Sequence, residues 1–179
     1  FFGESIHPNG TKIFSARIIP FRGSWIEFTT DINDVLYVYI DRRKRFPVTT
    51  LLRAVGFKTD IDILNLFGYV EEVPLSRKDL ERHFGRLVLE DQVDPETGEI
   101  VSKKGLAFDE ELLKLYRKHH VKRVNLLHVK KKDPIYEILN NTLVKDKATG
   151  EEDALNIIYQ ELRSGEPPDL ETARRLLQR

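Results

Sequence analysis

From Lys12 to Phe21 the chain alternates, with Phe14, Ala16 and Ile18 on one side and Ser15 and Arg17 on the other. That two-residue period predicts a half-buried strand. Arg22-Gly23-Ser24 is a connection of hairpin length, and Trp25–Thr30 resumes the alternation. Here Ile26 and Phe28 share one face while Trp25 and Glu27 share the other. After a turn at Asp31–Asp34, a third strand is predicted over Val35–Arg42, with Leu36, Val38 and Ile40 inward and Tyr37, Tyr39 and Asp41 outward. Three neighbouring strands joined by short loops imply an antiparallel meander.

Beyond Pro47 the period lengthens. Helices are predicted over Thr49–Val55, stopping at Gly56, and over Thr59–Phe67, where Thr59 and Asp62 form a capping-box pattern and Gly68 a stop. A third is expected from Ser76–Asp79 to Gly85. The middle is mixed: strands at Arg86–Val93 and Glu99–Ser102 flank the turn Asp94–Gly98. Asp109 caps a helix to His119, and Val121–Val129 reads as a strand. The last third is helical. Pro134 precedes Ile135–Leu143, and Glu151–Leu162 places Ala154, Leu155, Ile158 and Leu162 at helical spacing. Gly165–Pro168 breaks the chain, and Asp169 caps a final helix. The fold class is therefore α+β: an antiparallel N-terminal sheet with helices, a mixed middle segment and a helical C-terminal part.

Length suits one domain or two small ones, at 179 residues. Lys+Arg and Asp+Glu both number 29, so any basic surface is local and global charge points to no partner. The absence of cysteine removes disulfides and thiolate metal sites, in keeping with a reducing cytoplasm. No apolar run reaches the roughly 20 residues of a membrane span, so no membrane partner is expected. With no methionine and an opening Phe1-Phe2-Gly3, the sequence is expected to be a segment of a longer chain.

Motifs for nucleotide phosphates, zinc proteolysis or a nucleophilic serine are missing. His119 and His120 are adjacent, which on a helix separates them by about 100 degrees and disfavours chelation. No pair of carboxylates forms an acid/base frame, so no catalytic residue is expected. The feature that stands out is Asp41-Arg42-Arg43-Lys44-Arg45, four cations directly after a strand end. Such a run is a solvated loop, a partner for nearby carboxylates, or a phosphate contact. Arg17 and Arg22 on the adjoining hairpin strengthen the second reading. So does Trp25, the only tryptophan, on the polar side of its strand, where it either packs under a loop or stacks on an unpaired base. Asp41 is unusual beside phosphate; it either orients Arg42 or Arg43, or accepts from a base amino group.

Ser15–Trp25 (SARIIPFRGSW), Val38–Pro47 (VYIDRRKRFP) and Thr50–Gly56 (TLLRAVG) resemble consecutive segments of the bacterial RNA polymerase beta subunit. So do Asn141-Thr142-Leu143 with Asp146, and Ala154-Leu155, Ile158-Tyr159, Leu162-Arg163 and Gly165–Pro168, with Ser164 where the family commonly has proline. The resemblance covers residues 1–70 and 120–179, expected as a lobe core, with 71–119 as a variable inserted subregion. It implies one jaw of the main cleft, part of a DNA-directed nucleotidyltransferase, contacting downstream duplex and the nontemplate strand. By resemblance Trp25 meets a nontemplate base, Asp41 and Arg42 lie beside that strand, and Lys122 and Arg123 fall near the same path. Catalytic magnesium is held by the family's partner subunit, so no cofactor is expected here. Other polymerase subunits and initiation or regulatory proteins are the implied protein partners, in the cytoplasm and at the nucleoid. A docking module for those factors is the alternative role.

Overall fold

The computed structural model describes residues 1–130, 132–163, 165, 167 and 169–177. Its strands are β1 (Phe2–Ile6), β2 (Lys12–Ile18), β3 (Ile26–Thr30), β4 (Leu36–Ile40), β5 (Phe46–Pro47), β6 (Val70–Pro74), β7 (Gln92–Val93), β8 (Ile100–Ser102) and β9 (Arg123–Leu127). Its helices are α1 (Val48–Ala54), α2 (Asp60–Leu66), α3 (Glu110–Lys118), α4 (Pro134–Lys145), α5 (Glu151–Leu162) and α6 (Leu170–Leu177). The α+β class holds, with the antiparallel sheet first and helices last. Two compact units share the chain: Phe1–Ile63 with Lys132–Arg179, and Leu64–Lys131.

The first unit carries a five-stranded antiparallel sheet in the order β1-β2-β3-β4-β5. Cross-strand register aligns Ala16, Phe28, Val38 and Phe46 in one row and Ile18, Ile26 and Ile40 in the next. Val38, Ile40 and Phe46 are buried with Ile158 of α5, whose Ala154, Leu155, Ile158 and Tyr159 form one apolar stripe. Asp133 caps α4 by accepting from the amides of Ile135 and Tyr136 at 3.0 and 3.2 Å, with Pro134 in the first turn. Thr142 Oγ1 accepts from the Leu36 amide at 2.9 Å and donates to the Ile138 carbonyl, tying α4 to β4.

A buried ion network sits beneath α1. Arg53, 4 % exposed, donates through Nε to Asp146 at 3.0 Å, and also to Asp60 and to the Lys58 carbonyl. Asp146 additionally accepts from Thr50 Oγ1 at 2.7 Å and the Ala148 amide at 3.0 Å. Burial opposes the arginine's charge, but the hydrogen bonds it donates to its two carboxylate partners, with their charge, outweigh it and raise its pKa.

The second unit has its own core of Val73, Leu80, Val88, Phe108, Tyr116, Val124 and Leu126. There β6 pairs with β9 and β7 with β8, both antiparallel. Asp109 caps α3 by accepting from the Leu112 amide at 2.8 Å. Tyr116 stacks on Phe108 and shares a buried 2.7 Å hydrogen bond with Ser102.

Several expectations change. The sheet starts at Phe2 rather than Lys12, because β1 pairs with β2 around the turn at Gly10, whose φ of 89° suits glycine. Tyr37, expected outward, is 7 % exposed, with the Arg45 guanidinium 4.2 Å over its ring. Ile18, expected inward, is 54 % exposed at the end of its strand. The helix expected over 76–85 is a single 3₁₀ turn, Leu80–His83. Arg86–Val93 is not one strand: Leu87 and Val88 make isolated bridges to Ala107 and Leu126 before β7. The second compact unit, Leu64–Lys131, takes in both Val70–Pro74 and Arg123–Leu127, which pair with each other. Glu166 and Pro168 of the expected break, Ser164 of the resemblance, and the last two residues of the expected final helix lie outside the described residues.

Candidate nucleic-acid interface

The candidate residues of the first unit gather where β4 ends. Asp41 and Arg42 have φ of 50° and 56°, and the Arg43 amide donates to the Ile40 carbonyl at 3.1 Å. Two successive left-handed residues inside a four-residue hydrogen-bonded turn match the type I′ pattern, which asparagine and glycine favour. Arg42 therefore sits in a conformation costing an L-residue roughly 1–2 kcal/mol. Strain of this kind concentrates at functional positions.

Asp41 holds the neighbouring loop. Its carboxylate accepts from Ser24 Oγ at 2.6 Å and from the Trp25 amide at 2.9 Å, while its own amide donates to the Trp25 carbonyl at 2.9 Å. The carboxylate thus holds the Trp25 backbone in place. The Trp25 side of the hairpin carries the indole at 38 % exposure. The Arg42 guanidinium lies 5.2 Å from the ring centroid and that of Arg17 6.0 Å, both within cation–π range. Arg17 is fixed in turn by Glu27, whose Oε2 accepts from Nε and Nη2 at 3.1 and 2.9 Å. The result is an aromatic plate, open to solvent in part, with cations beside it.

The rest of the basic run is divided between solvent and protein. Arg43 donates to the Leu162 carbonyl at the end of α5. Lys44 is well exposed and lies 3.7 Å from Glu161. Arg45 rests on Tyr37, and Arg22 is exposed in the loop before Ser24. Arg42, Lys44 and Arg22 are all exposed to solvent. The second unit carries Lys122 and Arg123; Arg123 is exposed and pairs with Glu72 at 3.1 Å. Ser24, Glu27 and Glu161 were not singled out in the sequence. Cross-strand register between β2 and β3 gives Glu27, but nothing local announces Glu161, which meets the run only through the tertiary fold.

Two histidines make contacts inside the second unit. His119 Nδ1 lies 2.8 Å from Asp94, joining the end of α3 to the 94–98 turn. That contact, with the Glu96 amide, holds the Asp94 carboxyl below its ordinary pKa. His83 is buried, accepts from Arg82 at Nε2, and has no hydrogen-bond partner at Nδ1 among the described residues. Burial lowers its pKa, as do Arg86, Arg82 and Arg77, against the pull of Glu71. Among the described residues no three His, Cys, Asp or Glu side chains are grouped to hold a metal ion, and no helix is long and apolar enough to cross a membrane.

This is a two-unit α+β protein with a cationic, aromatic hairpin surface. The profile of the RNA polymerase Rpb2 domain 2 family matches residues 3–138. The chain belongs to that family. DNA-directed RNA polymerase subunit beta from Porphyromonas cangingivalis is 47% identical over 194 residues, covering 99% of this chain and 15% of the relative. The subunits of the same name from Flavobacterium psychrophilum and Christiangramia forsetii are 45% and 47% identical, again over 99% of this chain and 15% of theirs. The chain therefore spans about 15% of the length of the curated relatives it matches.

Proposed function

We propose that the chain is the lobe of a bacterial RNA polymerase beta subunit and that its Trp25 surface grips the nontemplate strand during DNA-templated transcription. The supporting observation is the half-open indole, stapled by Asp41 and flanked by Arg17 and Arg42. A base stacked on an aromatic platform is worth roughly 1–3 kcal/mol. That is enough to offset part of the penalty of keeping a base unstacked. Arg42, Lys44 and Arg22 supply the charge that draws the backbone, and each neutralised phosphate adds about 0.9 to the salt slope on duplex. Arg43 and Arg45 serve the hairpin first, so the slope expected from the run is smaller than its four charges suggest.

In this reading the lobe contributes no reacting group. The assembly's magnesium and nucleotidyl transfer belong to a partner subunit, and the lobe's place of work is the cytoplasm, at the nucleoid. Its DNA partners are the nontemplate strand and downstream duplex; its protein partners are the other polymerase subunits. The test is assembled polymerase carrying Trp25→Ala. At a tenfold change per 1.4 kcal/mol, the open complex should dissociate about 5- to 150-fold faster, with loss of nontemplate crosslinking to this hairpin. An unchanged lifetime and crosslink removes Trp25 from the mechanism.

The second reading, a docking module for initiation or regulatory proteins, is favoured by a separate feature of the first unit, an apolar groove beside the same hairpin.

A further inference from the structure

The groove has a volume of about 920 Å³, within the roughly 300–1,000 Å³ range of formed binding sites. Its floor is the cross-strand row Ile18, Ile26 and Ile40 at the end of the sheet. Leu51 of α1, Val55 just past its end, and Leu162 of α5 form another wall. Ile18 and Val55 are each 54 % exposed, so aliphatic surface stands open on both sides. Scattered exposed side chains are ordinary, but opposed ones lining a concave surface mark interaction sites.

The rim has one sign. Arg22, Arg43 and Arg163 line it, and Asp41 is the only carboxylate side chain among the described lining residues. Both Asp41 oxygens are engaged, by Ser24 and by the Trp25 amide. Arg43 is held at the lip by its bond to the Leu162 carbonyl. We infer that the groove is a docking site for a protein segment carrying aliphatic anchors flanked by Asp or Glu. Charge selects the acidic flanks, since like charge at the rim would repel a basic segment. Lining chemistry selects protein over nucleic acid: among the described residues the lining contains no aromatic platform, whereas Trp25, the stacking residue of the DNA reading, is not a lining residue. The apolar anchors supply affinity as core-facing positions do in helix-in-groove recognition.

The groove and the hairpin share Ser24, Asp41 and Arg43, so the loop leading to Trp25 is also a groove wall. Occupancy therefore alters the surroundings of Trp25, and the sole tryptophan reports it by fluorescence. This docking role does not rest on the DNA reading, and either can fail alone.

The test is selection of a displayed random 12-residue peptide library on the whole 179-residue chain. Winning peptides should combine Ile, Leu or Val with net negative charge, bind more weakly as salt rises, and shift Trp25 emission. Val55→Asp should weaken them at least 10-fold, while Val144→Asp, exposed and outside the groove, should not. Arg22→Glu should lower affinity for an acidic winner and raise it for the same peptide with Lys in place of Asp and Glu. That reciprocal swap cannot arise from misfolding. Basic or neutral winners, or indifference to Val55→Asp, overturn the proposal. So does a dimer in sedimentation that Val55→Asp abolishes, which would assign the groove to a second copy.

Discussion

Replacing Arg53 with methionine should be the most damaging single change in the first unit. The guanidinium is almost fully buried, and its Asp146 partner is wholly so, 3.0 Å away. Methionine fills much of the same space but leaves the Asp146 carboxylate inside without its cation. Thr50 and the Ala148 amide still donate to Oδ1, while Oδ2 loses Arg53 Nε. Breaking a buried pair from one side typically costs about 3–5 kcal/mol. The Asp60 pair adds little, because that carboxylate is 42 % exposed and exposed pairs contribute about 1 kcal/mol or less. The expected loss is therefore about 3–5 kcal/mol, roughly 10²- to 10³-fold or more in the folded-to-unfolded ratio at 1.4 kcal/mol per decade. Urea unfolding followed by Trp25 fluorescence measures it, since Trp25 lies in the same unit. The double variant Arg53→Met with Asp146→Asn removes the orphaned charge and keeps an acceptor for Thr50, so it should recover at least half the loss. A single-variant loss below about 1 kcal/mol would refute the reasoning. So would a double variant whose loss is simply the sum of the two single losses.

Arg42→Gly relieves a left-handed backbone while removing the guanidinium beside Trp25. Stability should stay level or rise by up to about 1 kcal/mol, with Trp25 emission changed; a loss above 1 kcal/mol in urea would show that the ring contact outweighs the strain. In the second unit, His83 binds its proton less readily folded than unfolded, so stability should fall as pH drops below the ordinary 6.5. Glu71, its carboxyl lowered chiefly by the hydrogen bond from Arg86, adds a further loss as pH falls through 4.5 and below. NMR signals of Val88 and Leu126 in urea at pH 7 and 5.5 measure the first step, which His83→Leu should flatten; an unchanged slope would sink the assignment.

Where period and punctuation agree, the sequence is a good guide. The alternation of Lys12–Ile18 and Leu36–Ile40, the Asp109 and Asp133 caps, and the stripe on α5 all appear as elements close to their expected bounds. Phe2–Ile6 has no such signature: Gly3 and Glu4 interrupt it, and only pairing with β2 makes it a strand. Ser76–Gly85 has helical composition, but only Leu80–His83 turns, and Leu80 and His83 are drawn into the core. At the candidate site, residue types and the outward indole were legible, whereas the allegiance of each cation was not. Arg43 and Lys44 meet the end of α5 only through contacts across more than a hundred residues, which no local pattern encodes.

The first unit is assembled from two stretches of chain separated by the whole of the second. During synthesis, Val38 and Phe46 emerge long before Ile158, the residue that will cover them. The second unit is contiguous and can close its core as soon as it clears the ribosome. The sheet's apolar side is covered in part by Leu51 and Ala54 of α1 and is completed only when Ile158 and Leu162 of α5 arrive, so the early-made hairpins stay open to aggregation until the C-terminal third is made.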